Sequence, residues 1–188
     1  MKLSMNRKTC VILFGILFFV QNLAFAQDAR LTNIIVTNTS DDLLMYLNVE
    51  GAFVDEIKEA ILSGVPTTFS FFITLYKVRN LWLDNNLADL KISHTLKYNS
   101  LKKEFTVTRS ESSKSVVTQS FGEAQKLMSE IDRLKIIPLS MLEKGSHYQI
   151  RANAELNKVT LPYYLHHILF FVSLWDFETD LYAIDFIY

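Results

Sequence analysis

Apolar and polar residues alternate most regularly between Gly64 and Tyr98. In Thr67–Arg79 the odd positions carry Phe69, Phe71, Ile73 and Leu75. In Ala88–Tyr98 the even positions carry Leu90, Ile92, His94, Leu96 and Tyr98. Successive side chains of a strand point to opposite faces, so this period predicts two half-buried strands. The turn-rich segment between them predicts a wide hairpin with an apolar tip formed by Leu81, Trp82 and Leu83.

The same two-residue period recurs along the rest of the chain. It predicts a first hairpin from Leu31–Asn38 and Leu43–Ala52, joined by the turn-forming residues 38–42. Further strands are predicted at Glu104–Thr108, Val116–Gln119, Tyr148–Asn157 and Asp180–Tyr188.

Three segments have a helical pattern instead. Val54–Leu62 has one apolar face and acidic residues in its first turn. Ser120–Leu134 begins with Ser120 and Glu123 at the spacing of a capping box, and its apolar stripe continues through Leu134. Leu161–Trp175 is apolar on nearly all sides and is too short to span a bilayer. We expect this last helix to be buried by several elements, or to lie against a lipid surface or a partner.

Hairpin connections predominate, and no strand–helix–strand repeat indicates a parallel sheet. The sequence therefore predicts an antiparallel, β-rich α+β domain. We expect a single sheet, sandwich-like or strongly curved, of about seven or eight strands with about three short helices.

The first 26 residues follow the plan of a secretory signal peptide. Residues 1–8 contain basic side chains and no acidic one, and Thr9–Leu23 is almost wholly apolar. Ala24–Ala26 then fits the rule of small residues at a cleavage site, which predicts cleavage after Ala26 and an exported single domain of residues 27–188. The alternative is that the apolar segment is retained as a membrane anchor.

The composition of the predicted mature chain excludes several kinds of protein. Cys10 is the only cysteine, so cleavage after Ala26 leaves no disulfide, thiolate metal site or cysteine nucleophile. Residues 27–188 carry 16 Lys and Arg against 20 Asp and Glu, a net charge of −4. Without a basic run to contact phosphates, nucleic acid is not an expected partner.

Candidate chemistry is sparse. His166 and His167 are adjacent rather than four residues apart, so a helix would not direct both at one zinc ion. His94 lies on an apolar strand face and His147 begins another strand, which indicates packed or surface histidines. The polar residues Asp84, Asn85, Asn86 and Asp89 lack the glycine and glutamate of a calcium loop, and a polar hairpin corner is the better interpretation.

No nucleophile elbow, phosphate-binding loop or dinucleotide fingerprint occurs in the chain. Trp82 and Trp175 could line a ligand pocket, but large aromatic side chains more often anchor cores. We therefore assign no catalytic residue, no metal ligand and no cofactor, and leave the ligand-binding residues unassigned.

Several short motifs, in this order, resemble a family of exported bacterial proteins described as a domain of unknown function, number 4390. The matching pieces are Gly64-Val65-Pro66 with Phe69, Trp82 with Asp84, Leu96-Lys97-Tyr98, Phe121 with Glu123-Ala124, Pro138-Leu139 before Leu142 and Gly145, Tyr148 with Arg151, Leu161-Pro162, and the region of Trp175. They cover almost the whole predicted mature chain. The resemblance implies a periplasmic protein of Gram-negative bacteria, and it supplies no catalytic residue.

Taken together, the sequence favours a non-catalytic protein of the cell envelope that acts by binding a protein partner. The alternative is a binder of an apolar or lipid ligand, or a domain on a membrane surface, acting through Leu161–Trp175. An enzyme is disfavoured because no recognised catalytic spacing is present.

Overall fold

Two antiparallel sheets and two α-helices form the part of the chain that this computed structural model describes, which is residues 29–79, 83–157 and 177–188. The elements are β1 (Arg30–Asn38), β2 (Asp42–Glu50), α1 (Asp55–Leu62), β3 (Thr67–Lys77), β4 (Asn85–Asn99), β5 (Glu104–Arg109), β6 (Val116–Thr118), α2 (Phe121–Ser129), β7 (Glu130–Pro138), a 3-10 turn (Leu139–Met141), β8 (His147–Leu156), β9 (Phe177–Glu178) and β10 (Tyr182–Ile187).

The prediction of an antiparallel, β-rich α+β fold is confirmed, but the prediction of a single sheet is wrong. The smaller sheet has the order β1-β2-β7. The larger sheet has the order β10-β8-β3-β4-β5-β6, and the short strand β9 pairs with the end of β8. The inner faces of both sheets contribute to one apolar core, as in a β-sandwich.

The second sheet was missed because β7 was predicted to be the end of a helix. Met128, Ile131 and Leu134 follow one another at a helical spacing, and all three are buried. In the structure the helix ends at Ser129, and Glu130–Pro138 pairs with β2. Register shifts in this pairing, and a left-handed backbone at Arg133 (φ 52°), break the two-residue alternation that would have indicated a strand.

The start of α2 agrees with the sequence prediction in part. Ser120 is the N-cap, and its hydroxyl accepts a hydrogen bond from the backbone N–H of Glu123 at 3.3 Å. The Glu123 carboxylate does not return this bond to the backbone of Ser120; it accepts from the Thr118 hydroxyl instead. Ser120 N–H donates to that same Thr118 hydroxyl at 3.1 Å, so Thr118 replaces the second half of the capping box.

The predicted hairpin of β3 and β4 is confirmed, and it forms the centre of the larger sheet. β3 pairs with β4 along one side and with β8 along the other. The side chains predicted for its apolar face are all fully buried: Phe69, Phe71, Ile73 and Leu75. The strand is therefore the middle of the core, where a fully buried apolar side chain contributes about 1.5–3 kcal/mol. Trp82 at the predicted tip lies outside the described residues.

The first predicted hairpin and the first predicted helix are also confirmed. β1 pairs with β2, and α1 begins after Val54 with Asp55 and Glu56 in its first turn. The chain leaves α1 through Gly64, whose φ of +87° is a left-handed conformation that glycine adopts without steric cost. The third predicted helix, Leu161–Trp175, lies outside the described residues, as does the predicted signal peptide.

The two sides of the sandwich are covered differently. On one side α2 contacts β4, β5 and β6 of the larger sheet and β2 of the smaller sheet. On the other side the last strands of the two sheets, β1 and β10, face each other across a groove. Neither helix of the described residues has the length and hydropathy needed to cross a bilayer.

Candidate functional site

The groove between β1 and β10 is an apolar cavity of about 440 Å³. Its walls come from both sheets and include Ile34, Val36, Leu43, Ile184, Phe186 and Tyr188. The β1 side chains Ile34 and Val36, and Phe186 and Tyr188 from the other wall, pack against the common core but remain partly exposed. Among the described residues, no element covers the apolar side chains along this side of the sandwich.

Side chains around the groove extend its apolar surface outward. Ile35 is 55% exposed and Ile187 is 64% exposed, and Tyr182 at the other end of β10 is 45% exposed. Single exposed apolar residues are ordinary on a protein surface, but a contiguous patch marks a contact surface for a ligand or a partner. Here the exposed side chains lie beside a preformed cavity, and this combination indicates a binding surface more strongly than exposed side chains alone.

Both walls of the groove end in a strand with a free edge. Among the described residues, no strand pairs with the outer side of β1 or of β10. The edge of β1 is interrupted, because Asn33 has a left-handed backbone (φ 50°) and the pairing with β2 shifts between Thr32 and Ile35. The edge of β10 is regular, since its register with β8 is continuous from Tyr182 to Ile187.

The inner side of β10 is firmly attached. The residue that follows it is held by the turn before β8: Tyr188 O accepts from Gly145 N–H at 2.6 Å, and Tyr188 N–H donates to Ser146 O. Tyr148, the largest fully buried side chain among the described residues, stacks on Phe186 with ring centroids 5.6 Å apart. The Tyr148 hydroxyl accepts a hydrogen bond from the backbone N–H of Glu143 at 2.7 Å. The groove therefore has a rigid wall on the β10 side.

A second cavity, of about 460 Å³, lies between the end of β2 and α2. Its lining is mainly polar and includes Glu50, Gln125, Lys126 and Glu130. Lys126 and Glu130 form an ion pair across 3.8 Å, so the charges of this cavity are already matched. It lacks the apolar surface that gives a binding pocket most of its affinity.

His94 is a structural residue in the described part of the chain. It is fully buried; its Nδ1 lies 3.0 Å from the carbonyl oxygen of Met128, and its Nε2 lies 2.9 Å from a carboxylate oxygen of Glu111. Arg109, opposite His94 on β5, donates to the carbonyls of Leu127 and Glu130. Arg109 therefore satisfies two carbonyl groups at the end of α2, and the His94 ring lies between the Met128 carbonyl and the Glu111 carboxylate.

Burial lowers the pKa of His94 from its ordinary value of 6.5. The Glu111 carboxylate and the Met128 carbonyl favour the charged ring and oppose this shift, and the positive charge of Arg109 adds to it. The net effect is a depressed pKa, so the buried imidazole is neutral at neutral pH.

The other residues singled out in the sequence do not converge on one site. His147 is exposed at the start of β8. Asp84 accepts a hydrogen bond from the backbone N–H of Arg79 and lies 3.8 Å from a guanidinium nitrogen of Arg151. His166, His167 and Trp175 lie outside the described residues. Within the described ranges, no three His, Cys, Asp or Glu side chains are grouped as metal ligands would be.

The groove was not predicted from the sequence, although part of the signal was present. The alternation of Tyr182, Ile184, Phe186 and Tyr188 was recognised as a strand. What could not be read from the pattern is that β1, about 150 residues earlier, forms the opposite wall.

Within residues 29–79, 83–157 and 177–188, two packed antiparallel sheets are covered by α2 on one side and carry the groove between β1 and β10 on the other. The chain belongs to the family described as a domain of unknown function, DUF4390, whose match covers residues 26–185. This confirms the resemblance noted in the sequence. No curated protein and no solved structure matches the chain.

Proposed function

We propose that this protein is exported to the periplasm, where it binds a protein partner through the groove between β1 and β10 and carries out no catalysis itself. The observation that supports this is the apolar cavity of about 440 Å³ between two unpaired edge strands. A partner that covers it would remove Ile35, Ile187 and Tyr182 from water, and burial of such surface drives protein association.

The polar clusters of the described residues support a binding role. His94 and Arg109 are occupied in holding the end of α2, as described above. On the outer face of the larger sheet, Arg151 stacks over the ring of Tyr76 at 4.6 Å and donates to Gln149. These groups already have partners within the fold, whereas a catalytic group needs to reach a substrate in a cleft.

Site-specific photocrosslinking in cells tests the proposed function. A photoreactive amino acid is placed at Ile35 or at Ile187, both exposed beside the groove, and at Leu101 as a control. Leu101 is 94% exposed in the turn between β4 and β5, away from the groove. We expect one discrete protein adduct from the two groove positions and none from Leu101. If all three positions give the same adducts, or none, the proposal fails.

Export itself is tested by the mass of the protein in the cell fractions. We expect a soluble periplasmic form that begins at Gln27, as cleavage after Ala26 requires. A form that retains residues 1–26 and sediments with membranes would show an anchored protein instead.

A second candidate function is the binding of an apolar or lipid ligand in the same groove, which its apolar lining favours. In that case the crosslinker at Ile35 or Ile187 would yield a lipid adduct, identified by its mass. The protein would also float with liposomes or release lipid on denaturation. Liposome flotation with no retained lipid would exclude a lipid bound in the groove and favour a membrane-surface domain.

A further inference from the structure

The free edge of β10 determines what kind of partner segment can bind beside the groove. The chain from Phe177 to Tyr188 runs along β8, first as β9, then through Thr179, then as β10. Thr179 exchanges backbone and side-chain hydrogen bonds with Ala154, all at 2.9 Å. One side of this segment is therefore fixed to the sheet. The other side presents backbone N–H and C=O groups that no strand of the described residues pairs with.

An added strand is the complement of such an edge. An extended segment that pairs with β10 satisfies those backbone groups by forming main-chain hydrogen bonds, and it places alternate side chains on the two faces of the sheet. β10 is better suited to this than β1, because the bulge at Asn33 interrupts the edge of β1.

The inner face of β10 determines the polarity of the partner side chains that point toward the groove. Tyr182, Ile184 and Phe186 share a face, since they lie opposite Ala152, Ile150 and Tyr148 of β8. This face turns toward the groove, which Ile184 and Phe186 line. The inward residues of an added strand that lie beside Ile184 and Phe186 would enter the same apolar groove. These residues must therefore be apolar.

The outer face of β10 determines which charge is favourable for the partner side chains that point away from the groove. In β10 this face carries Ala183, Asp185 and Ile187. Glu178 and Asp180 are exposed earlier in the same segment, and residues 177–188 contain no basic side chain. The carboxylates of Asp185 and Glu178 accept hydrogen bonds from the neutral amides of Gln149 and Asn153. None of the ion pairs of the described residues includes any of these three carboxylates.

Neighbouring groups leave this negative charge in place. Glu155 of β8 lies directly opposite Glu178 in the register, which adds a second carboxylate there. Two bases of β8 flank Gln149 on this face: His147 lies opposite Ile187, and Arg151 lies opposite Ala183. The Arg151 guanidinium lies over Tyr76 of β3 and near Asp84. The outer face of this segment therefore carries the carboxylates of Glu178 and Asp185, and the apolar Ile187 lies at the end of β10.

We infer that β10 binds an extended polypeptide segment in which apolar residues alternate with Lys or Arg, by adding it as a further strand to the larger sheet. This rests on the proposed function and names the partner's chemistry. A second copy of this chain fits poorly, since pairing β10 with itself would bring two acidic edges together.

Peptide binding tests this inference. The full chain is expressed, purified from the envelope, and titrated with three short capped peptides by fluorescence anisotropy. The first alternates Val and Lys, the second has the same composition with the Val and Lys residues in two blocks, and the third alternates Val and Glu. We expect the first to bind about tenfold or more tightly than the others, with affinity that falls as salt is added. Equal binding of the first two would exclude strand addition, and equal binding of the first and third would exclude the charge complementarity.

Backbone N-methylation of the Val–Lys peptide tests whether it binds as an added strand or in another conformation. Successive residues of a strand direct their N–H groups to opposite edges, so methylating every second residue blocks one edge only. We expect one set of alternate methyl groups to abolish binding and the other set to leave it within about twofold. If both sets are tolerated, no added strand forms.

A pair of matched variants locates the site. Asp185→Lys reverses a charge at β10, and Asp89→Lys makes the same change on the outer face of β4, three strands away in the sheet. We expect D185K to weaken the Val–Lys peptide about tenfold or more, and D89K to change its affinity less than about twofold. Circular dichroism and thermal unfolding establish that both variants are folded. Equal effects would overturn the assignment to β10.

The outcomes distinguish this inference from the proposed function. If the groove positions crosslink to one protein in cells while the three peptides bind equally, the partner binds here without adding a strand. A concentration-dependent dimer that D185K abolishes in sedimentation experiments would mean that a second copy occupies the edge, which would overturn the inference.

Discussion

The imidazole Nε2 of His94 and a carboxylate oxygen of Glu111 lie 2.9 Å apart, with the imidazole fully buried and the Glu111 side chain 24% exposed. The other ring nitrogen faces the Met128 carbonyl, which is also an acceptor. A neutral imidazole has one N–H and donates to only one of them. The site at the end of α2 is therefore sensitive to protonation.

Burial of the His94 ring opposes protonation more strongly than the two acceptors favour it, and this predicts a loss of stability on acidification. Burial lowers the pKa of His94 in the folded chain below 6.5, so between that lowered pKa and 6.5 the unfolded chain binds more protons. The stabilising contribution of the neutral ring is complete above pH 6.5 and is lost as the pH falls through the lowered pKa. Urea unfolding followed by circular dichroism at several pH values measures this.

The control for the pH prediction is His94→Gln, which retains a polar side chain at the same position and does not titrate. We expect the H94Q protein to be less stable at pH 7.5 and to lose less further stability between pH 7.5 and pH 5 than the natural protein. Parallel curves for the two proteins would show that another group is responsible.

Arg109 is predicted to stabilise the end of α2. Its guanidinium donates to Leu127 O at 3.1 Å and to Glu130 O at 3.3 Å, and removing a charged donor leaves partly buried carbonyls without a partner. We expect Arg109→Gln to lower the free energy of unfolding by about 1–3 kcal/mol. Arg109→Lys should restore little of the lost free energy of unfolding, because a lysine ammonium does not reproduce the two hydrogen bonds that the planar guanidinium donates to Leu127 O and Glu130 O.

Lys102→Gln provides the comparison for Arg109. It removes the same charge at an exposed position of the turn between β4 and β5, and we expect a change within about 0.5 kcal/mol. If R109Q and K102Q are equally stable, the two carbonyl contacts contribute nothing measurable.

The structure explains how much of this fold could be predicted from the sequence. The strands β3 and β4 were recognised because their alternation is local and uninterrupted. The strand β7 was not, because the apolar pattern remains helical past Ser129, where α2 ends, and the pairing of β7 with β2 is irregular. The groove is formed by β1 and β10, which are far apart in the sequence, and no local pattern predicts that these two strands lie close together.

Shortening a buried side chain on the core face of β3 should lower the stability of the protein. Phe71 is fully buried, and its ring lies 5.0 Å from that of His94 in an edge-to-face contact. We expect Phe71→Ala to lower the free energy of unfolding by about 3–5 kcal/mol, since it removes apolar contacts and leaves a cavity. Leu101→Ala, at a side chain that is 94% exposed, should change it by no more than about 0.5 kcal/mol. Similar values for both would mean that β3 does not lie at the centre of the core.

Substitution of alanine for glycine should change the stability of the protein in opposite directions at Gly64 and Gly122. Gly64 has a φ of +87°, a left-handed conformation that costs an alanine roughly 1–2 kcal/mol. Gly122 lies in the first turn of α2, and a Cβ there would meet the Ser120 hydroxyl at an ordinary 3.9 Å. We expect Gly64→Ala to be destabilising and Gly122→Ala to be neutral or stabilising by up to about 1 kcal/mol. Thermal unfolding of the two variants checks this, and the reverse order would contradict the described ends of both helices.

The binding of a partner beside the groove is tested most directly by hydrogen–deuterium exchange with and without the alternating Val–Lys peptide. The amides of β10 whose N–H groups point away from β8 are unpaired in the described fold and should exchange rapidly in the free protein. We expect the peptide to slow exchange within Tyr182–Ile187 and to leave β4–β6 unchanged. Protection that appears elsewhere in the chain, with β10 unaffected, would contradict the account.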